Sequence, residues 1–333
     1  RAAIAKKTGI SRPTISESAQ RLEKSDLVVE TSRKTRNKQG RAGVIYEINA
    51  AKGLTLAIAI DVKQIQLRLT DLSLKVIRDQ CFYIDPGWQQ AELAEAILRF
   101  IRLAVQDQSS PLLAIGVSVA VPVNSQTGEI LALPYSKFTV IHGINFKTLL
   151  EEHFACPVAL DNDVNWATLA EKSLGIAKNV SDFVFIYFGE GIGAGIYLDN
   201  HLIRGSTGIS GEIGHIMVNN NENLQDFVSN HHLQQALEDG VDLTGHPAIS
   251  QIGNTLASIA AVINPKMFVL GGPMTKYPQF IPAIIKQIQP QLFNEVSFIP
   301  SNAPNYAPLN GVQAGTYELA LSSFGLPSPP AAE

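Results

Sequence analysis

The residues best suited to chemistry in this chain come early. In the run Thr8-Gly9-Ile10-Ser11-Arg12-Pro13-Thr14-Ile15-Ser16, the side chains of Ser11, Arg12, Thr14 and Ser16, with Gln20 one turn further on, gather around what reads as the start of a helix. Short polar groups and guanidinium groups in that position hydrogen-bond to base edges in the grooves of duplex DNA, while lysines and arginines neutralise phosphates. Lys34 is the expected phosphate contact, and Arg41, in Gly40-Arg41-Ala42-Gly43, is expected in or beside a minor groove. The first 45 residues hold eleven basic and four acidic side chains, a net of +7, whereas the remainder holds fifteen basic and twenty-six acidic, a net of −11. A small cationic head on a large acidic body points to a polyanion-binding module joined to a part with another task. The polyanion these side chains suit is DNA.

Presenting those side chains requires two helices and a turn. Residues 2–7 have helical composition, and Thr8-Gly9-Ile10 interrupts them with a glycine suited to a tight turn. Ser11 suits a helix N-cap, and Pro13 suits the first turn, where a missing N–H costs nothing. Ile15, Ala19 and Leu22 then recur at helical spacing, leaving Arg12, Thr14, Ser16, Glu17 and Gln20 on other faces. Leu27-Val28-Val29 and Val44-Ile45-Tyr46-Glu47-Ile48 read as strands flanking the basic stretch 31–41. Residues 1–50 are therefore expected to form a winged helix-turn-helix, with a solvated helical hairpin and a basic loop as the plainer alternative. Helix-forming sequence follows directly on Arg1, so an upstream helix is expected to be missing from this fragment.

From residue 54 the texture becomes α/β. Strands are expected at 54–61, 66–70, 75–83, Leu112–Val119, 158–160, Phe183–Phe188, 194–198 and 267–270, and helices at about 89–105, Phe146–Phe154 and 255–263. Two successive strand-rich units with helices suggest a duplicated α/β fold with a cleft between its halves. Asp161-Asn162-Asp163-Val164-Asn165 falls at a strand-to-helix junction, where capping is the plain role for Asn162 and Asp163; Gly189-Glu190-Gly191-Ile192-Gly193 lies within a strand pair. An apolar content of 45% excludes bulk disorder. No apolar run approaches the ~20 residues of a membrane span. Cys81 and Cys156 read as two packed, reduced thiols of a cytoplasmic protein, and low complexity is confined to the Pro-rich tail at 327–330.

Taken together, Asp161–Asn165 in the order above, the glycine run 189–195, Gly208-Ile209-Ser210-Gly211-Glu212-Ile213-Gly214-His215 and Asn264-Pro265-Lys266-Met267-Phe268-Val269-Leu270-Gly271-Gly272 resemble the ROK family of bacterial sugar kinases and sugar-responsive repressors. The resemblance runs from the head to about residue 320. It implies a duplicated actin-like, ribonuclease-H-like sugar-kinase fold with a central cleft, in lobes 51–160 and 161–326, behind the winged head at 1–50. That arrangement is the one found in the family's repressors and not in its stand-alone kinases. It further implies a sugar pocket made by Asn162, Asp163, Glu212 and His215, with Gln225 where the family has a later glutamate. A buried structural pair is the alternative role for Glu212 and His215.

Three departures limit what the resemblance implies. The family's kinases carry Asp-x-Gly-Gly-Thr after the first strand, with backbone amides free to approach phosphates; here the run is Asp61-Val62-Lys63-Gln64-Ile65, and Glu190 stands where the second loop usually has threonine. The family's zinc is held by the histidine of Gly-His and three cysteines, but no cysteine occurs in 216–229, and a substitute set of His215, Asp226, His231 and His232 is the weak alternative. In Val119-Ala120-Val121-Pro122-Val123-Asn124, Val123 replaces a glycine and is expected to add bulk near the ligand. No catalytic residue, metal or cofactor is therefore expected. The expected partners are a double-stranded DNA operator, a sugar-like small-molecule effector and further copies of the chain in a homodimer or homotetramer, with no membrane. An active sugar kinase with a DNA-binding head and a ligand-blind DNA-binding protein are the competing readings.

Overall fold

A computed structural model describes residues 1–31, 44–131, 138–302 and 307–325. Helix α1 (Ala2–Thr8) ends at Gly9, whose φ of 72° lies in the left-handed region that favours glycine. Helix α2 (Arg12–Lys24) starts under a cap in which Ser11 Oγ accepts the Thr14 N–H at 3.3 Å, with Pro13 in its first turn. Ala5, Ile15 and Leu27 make the buried seam of this small unit. Strand β1 (Val28–Glu30) pairs antiparallel with β2 (Tyr46–Ile48). The Arg1 guanidinium lies 5.2 Å from the Tyr46 ring centroid and pairs with Glu23 at 3.0 Å, which ties the chain start to both α2 and the sheet. Lys34 and Arg41 lie outside the described residues.

The body contains two sheets with one topology. In the first, β3 (Leu54–Ile60), β4 (Gln64–Asp71) and β5 (Val76–Tyr83) form an antiparallel meander, and β6 (Leu112–Val119) and β7 (Val158–Asn162) continue parallel to β3, giving the order β5-β4-β3-β6-β7. Helices α3 (Gln90–Val105) and α4 (Phe146–Phe154) connect its strands, and α5 (Asp163–Ser173) leaves it. In the second sheet, β8 (Phe183–Phe188), β9 (Ile192–Leu198) and β10 (His201–Ile203) form the meander. Helices α6 (Leu224–Asn230), α7 (Leu233–Glu238) and α8 (Pro247–Ile263) follow, then β11 (Met267–Gly271), α9 (Phe280–Ile288) and β12 (Ser297–Pro300). Its order is β10-β9-β8-β11-β12, again three antiparallel strands and two parallel ones, so the duplication expected from sequence is present. The central strands β3, β6, β8 and β11 are buried almost throughout, the reason they read as continuous apolar runs.

Two helices lie between the sheets. Helix α5 buries Asn165, Trp166, Ala167, Thr168, Ala170 and Glu171, and the Trp166 Nε1–H donates to the Val117 carbonyl at 2.9 Å. The last helix, α10 (Ala307–Ser322), returns to the first sheet: a Cβ on Gly116 would fall 1.9 Å from Thr316 Oγ1, and one on Gly311 would fall 1.8 Å from the Trp166 carbonyl. Those glycines allow α10 to approach the first sheet and α5 closely. Helix α8 begins at Pro247, earlier than the expected start near 255, because His246 Nδ1 caps Ala248 at 3.2 Å and Ala248, Ile249, Ile252 and Leu256 supply a buried stripe. Cys156 is buried, but Cys81 is exposed, against expectation; β5 is an edge strand with one face open, and the Cys81 thiol donates to Gln64 Oε1 at 3.2 Å. Among the described residues no helix is long and apolar enough to cross a membrane.

Candidate functional site

The two sheets converge on a cavity of about 700 Å³. Its lining comes from the carboxyl ends of strands and from the turns that follow them, the usual place for a ligand in parallel-stranded α/β folds. Asn162, Asp163, Glu212, His215 and Gln225, drawn from both halves of the body, all line it. Val62, Tyr83, Val121, Pro122 and Phe138 form an apolar wall.

Each polar residue has a defined local reason for its position. Asn162 ends β7 and caps α5, its Oδ1 accepting the Val164 N–H at 2.8 Å, so the capping role expected of it is real and leaves its amide group at the cavity wall. Asp163 Oδ1 accepts the same N–H at 2.9 Å. Burial raises the Asp163 carboxyl to about 6, backbone donation from Val164 opposing and the charge of Asp61 adding to the rise. Burial also raises Glu212 to about 7, with the charge of Asp163 as the second cause. Glu212 precedes the short 3₁₀ turn Ile213–His215, and its Oε2 lies 3.9 Å from His215 Nε2. Gln225, in the first turn of α6, has its Oε1 accepting the Ile192 N–H at 3.2 Å, and so braces the glycine turn between β8 and β9. Tyr187, pushed up to about 12 by burial and then by Asp163, Glu190 and Asp61, also lines the cavity.

The Asp61 turn is folded on itself. Asp61 Oδ1 accepts the N–H groups of Lys63 and Gln64 at 2.7 and 2.9 Å, an Asx turn that directs both amides at a side chain of the same loop. Four acidic residues, Asp61, Asp163, Glu190 and Glu212, line the cavity, against Lys63 and His215 as basic ones. A neutral polyhydroxyl ligand fits such a lining, because carboxylates and amides accept or exchange hydrogen bonds with hydroxyls. A polyphosphate meets repulsion of about 1 to several kcal/mol per close charge pair in a partly desolvated site.

Other expectations fall differently. Val123 does not reach the cavity: it is buried in the first core, and its carbonyl would meet a Cβ on Gly208 at 2.2 Å. His231 stacks on Phe227 at 4.0 Å with its Nδ1 on the Phe227 carbonyl, His232 is the N-cap residue of α7, and Asp226 bonds Asn223. Among the described residues no group of three or more His, Cys, Asp and Glu is placed to hold a metal ion. In the head, Ser11, Arg12, Thr14 and Gln20 are exposed and Ser16 is half-buried, and the Ser11 and Thr14 hydroxyls bond each other at 2.7 Å. Asp161, which enters the sequence reading only as part of the Asp161–Asn165 run, pairs with Arg204 at 2.5 Å, and nothing in the sequence marks Arg204.

Comparison with known proteins agrees with this architecture. The xylose repressor of Bacillus spizizenii is 27% identical over 351 aligned positions, which cover 94% of this chain and 90% of that protein. The xylose repressor of Bacillus subtilis is 30% identical over 225 positions, 66% of this chain and 57% of that protein. Among solved structures, a ROK family transcriptional regulator described as a homolog of the E. coli MLC protein superposes with a TM-score of 0.75 at 20% identity, covering 96% of this chain and 93% of that one. A ROK family glucokinase from Streptomyces griseus, in complex with glucose and AMPPNP, superposes with a TM-score of 0.61 at 20% identity, covering 79% and 99%. Residues 55–227 match the sequence model of the ROK family, more than half of the chain, and this protein belongs to that family.

Proposed function

We propose that this chain is a cytoplasmic, DNA-binding transcriptional repressor whose kinase-like body binds a sugar in the cavity between the two sheets and does not phosphorylate it. The observation that carries this reading is the makeup of that cavity: Asn162, Asp163, Glu212, His215 and Gln225 converge on it, while the Asp61 turn directs its amides at its own carboxylate and Glu190 adds a negative charge. A sugar would lay its polar edge on those five residues and its C–H face on Phe138, Val121 and Tyr83. The named xylose repressors among the relatives favour an aldopentose as the first sugar to test. In the head, Ser11, Arg12, Thr14, Ser16 and Gln20 would face base edges, with Lys34 and Arg41 on the DNA backbone and minor groove. Paired heads in a homodimer or homotetramer would read an approximately palindromic operator, with half-sites set by the helical repeat. Sugar acts on DNA binding only through its differential affinity for the two arrangements of the heads.

The second reading, an ATP-dependent sugar kinase with a DNA-binding head, draws on Asp163, which is deep in the cavity and able to take a proton from a sugar hydroxyl, and on a second cavity of about 470 Å³ that shares Asp163 and Tyr187 with the first. One experiment separates the two. Purified protein is given a panel of aldopentoses and hexoses, ADP release is followed in a coupled assay, and operator binding is followed in parallel. Sugar-dependent loss of operator binding without ADP release supports repression. Turnover near ~1–100 s⁻¹ marks a kinase and overturns the proposal. Within the repressor reading, Asp163→Asn is expected to abolish the sugar response and leave operator affinity within about twofold; a response that survives means the ligand sits elsewhere.

A further inference from the structure

Asp161 precedes the cavity-lining Asn162 and is almost fully buried, with only 2% of its side chain open to solvent, yet it does not line the cavity. It lies at the end of β7 in the first sheet, opposite Ser118 of β6. Its Oδ1 accepts the Asn162 N–H at 2.8 Å and the Asn165 Nδ2–H at 2.7 Å, which orients the turn that presents Asn162 and Asp163. Its Oδ2 is taken by Arg204 Nε at 2.5 Å. Arg204 belongs to the second half of the body: it follows β10 directly and precedes the segment 205–211, which leads into Glu212. The Arg204 carbonyl accepts the Ser210 N–H at 3.2 Å, closing that segment into a loop.

In its middle the loop packs Gly208 against the Val123 carbonyl of the first half. Gly205, Gly208 and Gly211 have φ of 72°, 88° and 93°, and Ser206, Thr207 and Ile209 are exposed. Its far end is held at Gly211, whose carbonyl accepts the Ala194 N–H at 2.7 Å. Its near end is held by the Arg204 side chain. We propose that Arg204 is a positioning residue for the cavity: by pairing with Asp161 across the cleft, it keeps the loop, and with it Glu212 and His215, in register with Asn162 and Asp163. A buried carboxylate that loses its guanidinium is left uncompensated, so the pair resists opening, and the two halves of the lining stay together without touching ligand. This inference rests on the reading that the cavity binds a sugar.

The test uses the whole chain with xylose, or with whichever sugar of the panel binds the wild type, and scores sugar affinity, operator affinity without sugar, and amide exchange at 205–215 without sugar. Arg204→Ala is expected to raise the sugar Kd roughly tenfold or more, in line with the cost of misplaced site groups. It is also expected to speed exchange at 205–215 and to leave sugar-free operator affinity unchanged. Arg204→Lys, which keeps the charge, is expected to recover part of the affinity. Asp161→Asn combined with Arg204→Ala is expected to lose less affinity than the sum of the single changes, and a fully additive loss counts against the pair. Unchanged Kd and unchanged exchange in Arg204→Ala overturn the proposal. So does equal loss in Arg204→Lys and Arg204→Ala accompanied by faster exchange over the entire body, which marks a purely structural role. The exchange measurement needs no ligand, so a wild type that binds no sugar refutes the sugar reading while the loop's dependence on Arg204 is still decided.

Discussion

Glu212→Gln isolates the electrostatics of the cavity. In the folded protein the Glu212 carboxyl is raised from its ordinary 4.5 to about 7, first by burial and then by the charge of Asp163. A carboxyl with a raised folded value binds more protons when folded than when unfolded, so folding stability is at its fullest below about 4.5 and is lost as pH rises through 7. At about 1.4 kcal/mol per unit the shift corresponds to roughly 3 kcal/mol, and partial exposure of the side chain brings the expected cost to about 2–3 kcal/mol. Glutamine keeps the size and hydrogen-bonding capacity of the side chain and removes the charge. Glu212→Gln is therefore expected to be about 2–3 kcal/mol more stable than wild type at pH 8 and to match it within about 0.5 kcal/mol at pH 4.5. Asp163, raised to about 6, titrates across much of the same window and leaves a residual slope in the variant. Urea unfolding from pH 4.5 to 8.5 at fixed ionic strength measures the difference. Parallel stability curves for the two proteins would refute the account, because they would mean that Glu212 is ionised at no cost and the cavity is wetter than its geometry implies.

Gly195→Ala is expected to cost about 3 kcal/mol or more, because the new Cβ would lie 1.7 Å from Thr168 Oγ1 and 2.8 Å from its Cβ, with α5 held against the first sheet by its own Trp166. Thermal unfolding reads the loss, and adding Thr168→Ala should recover part of it; an unaltered midpoint in the single variant means that α5 and β9 are not in contact. Arg12→Ala is expected to flatten the difference between operator and random duplex while retaining salt-sensitive binding to both, measured by fluorescence anisotropy at several salt concentrations. Unchanged preference means that α2 does not read bases.

Much of the fold was legible because local signals agreed with tertiary demands. Ser11, Pro13 and Gly9 mark the boundaries of α1 and α2 with capping chemistry, and the apolar runs of β3, β6, β8 and β11 announce strands covered on both faces. Helix α10 was not legible, since Gly311 and Gly315 weaken its helical reading and exist for contact with Trp166. Helix α9 was obscured by Pro282, which its first turn tolerates. In the site, the polar residues stood out through the family resemblance, whereas the apolar wall of Tyr83, Val121 and Phe138 is assembled from three separated elements and has no linear signature. Arg204 was invisible for the same reason: its partner is forty-three positions away, on the other sheet.

The kept and lost parts of the kinase-like motifs divide along a physical line. A Cβ on Gly193 would press on Val164 at 3.2 Å, one on Gly195 would strike Thr168, one on Gly211 would fall 1.8 Å from the Ala194 carbonyl, and one on Gly272 would fall 2.3 Å from the Phe188 carbonyl. Each of these glycines is required by the packing of α5 or of a neighbouring strand, whatever the cavity holds. Of the departures from the kinase pattern, Lys63 and Glu190 are exposed residues on turns facing the cavity and Gln64 is half-buried beside them, positions where a side chain can be added without moving a backbone, whereas Ile65 points into the first core. Retained glycines in this chain are therefore evidence of the fold and not of phosphate binding, and the residues that bear on phosphate are the ones that changed. A scaffold shared with sugar kinases can therefore carry a different cavity chemistry, which is what the proposed repressor reading requires.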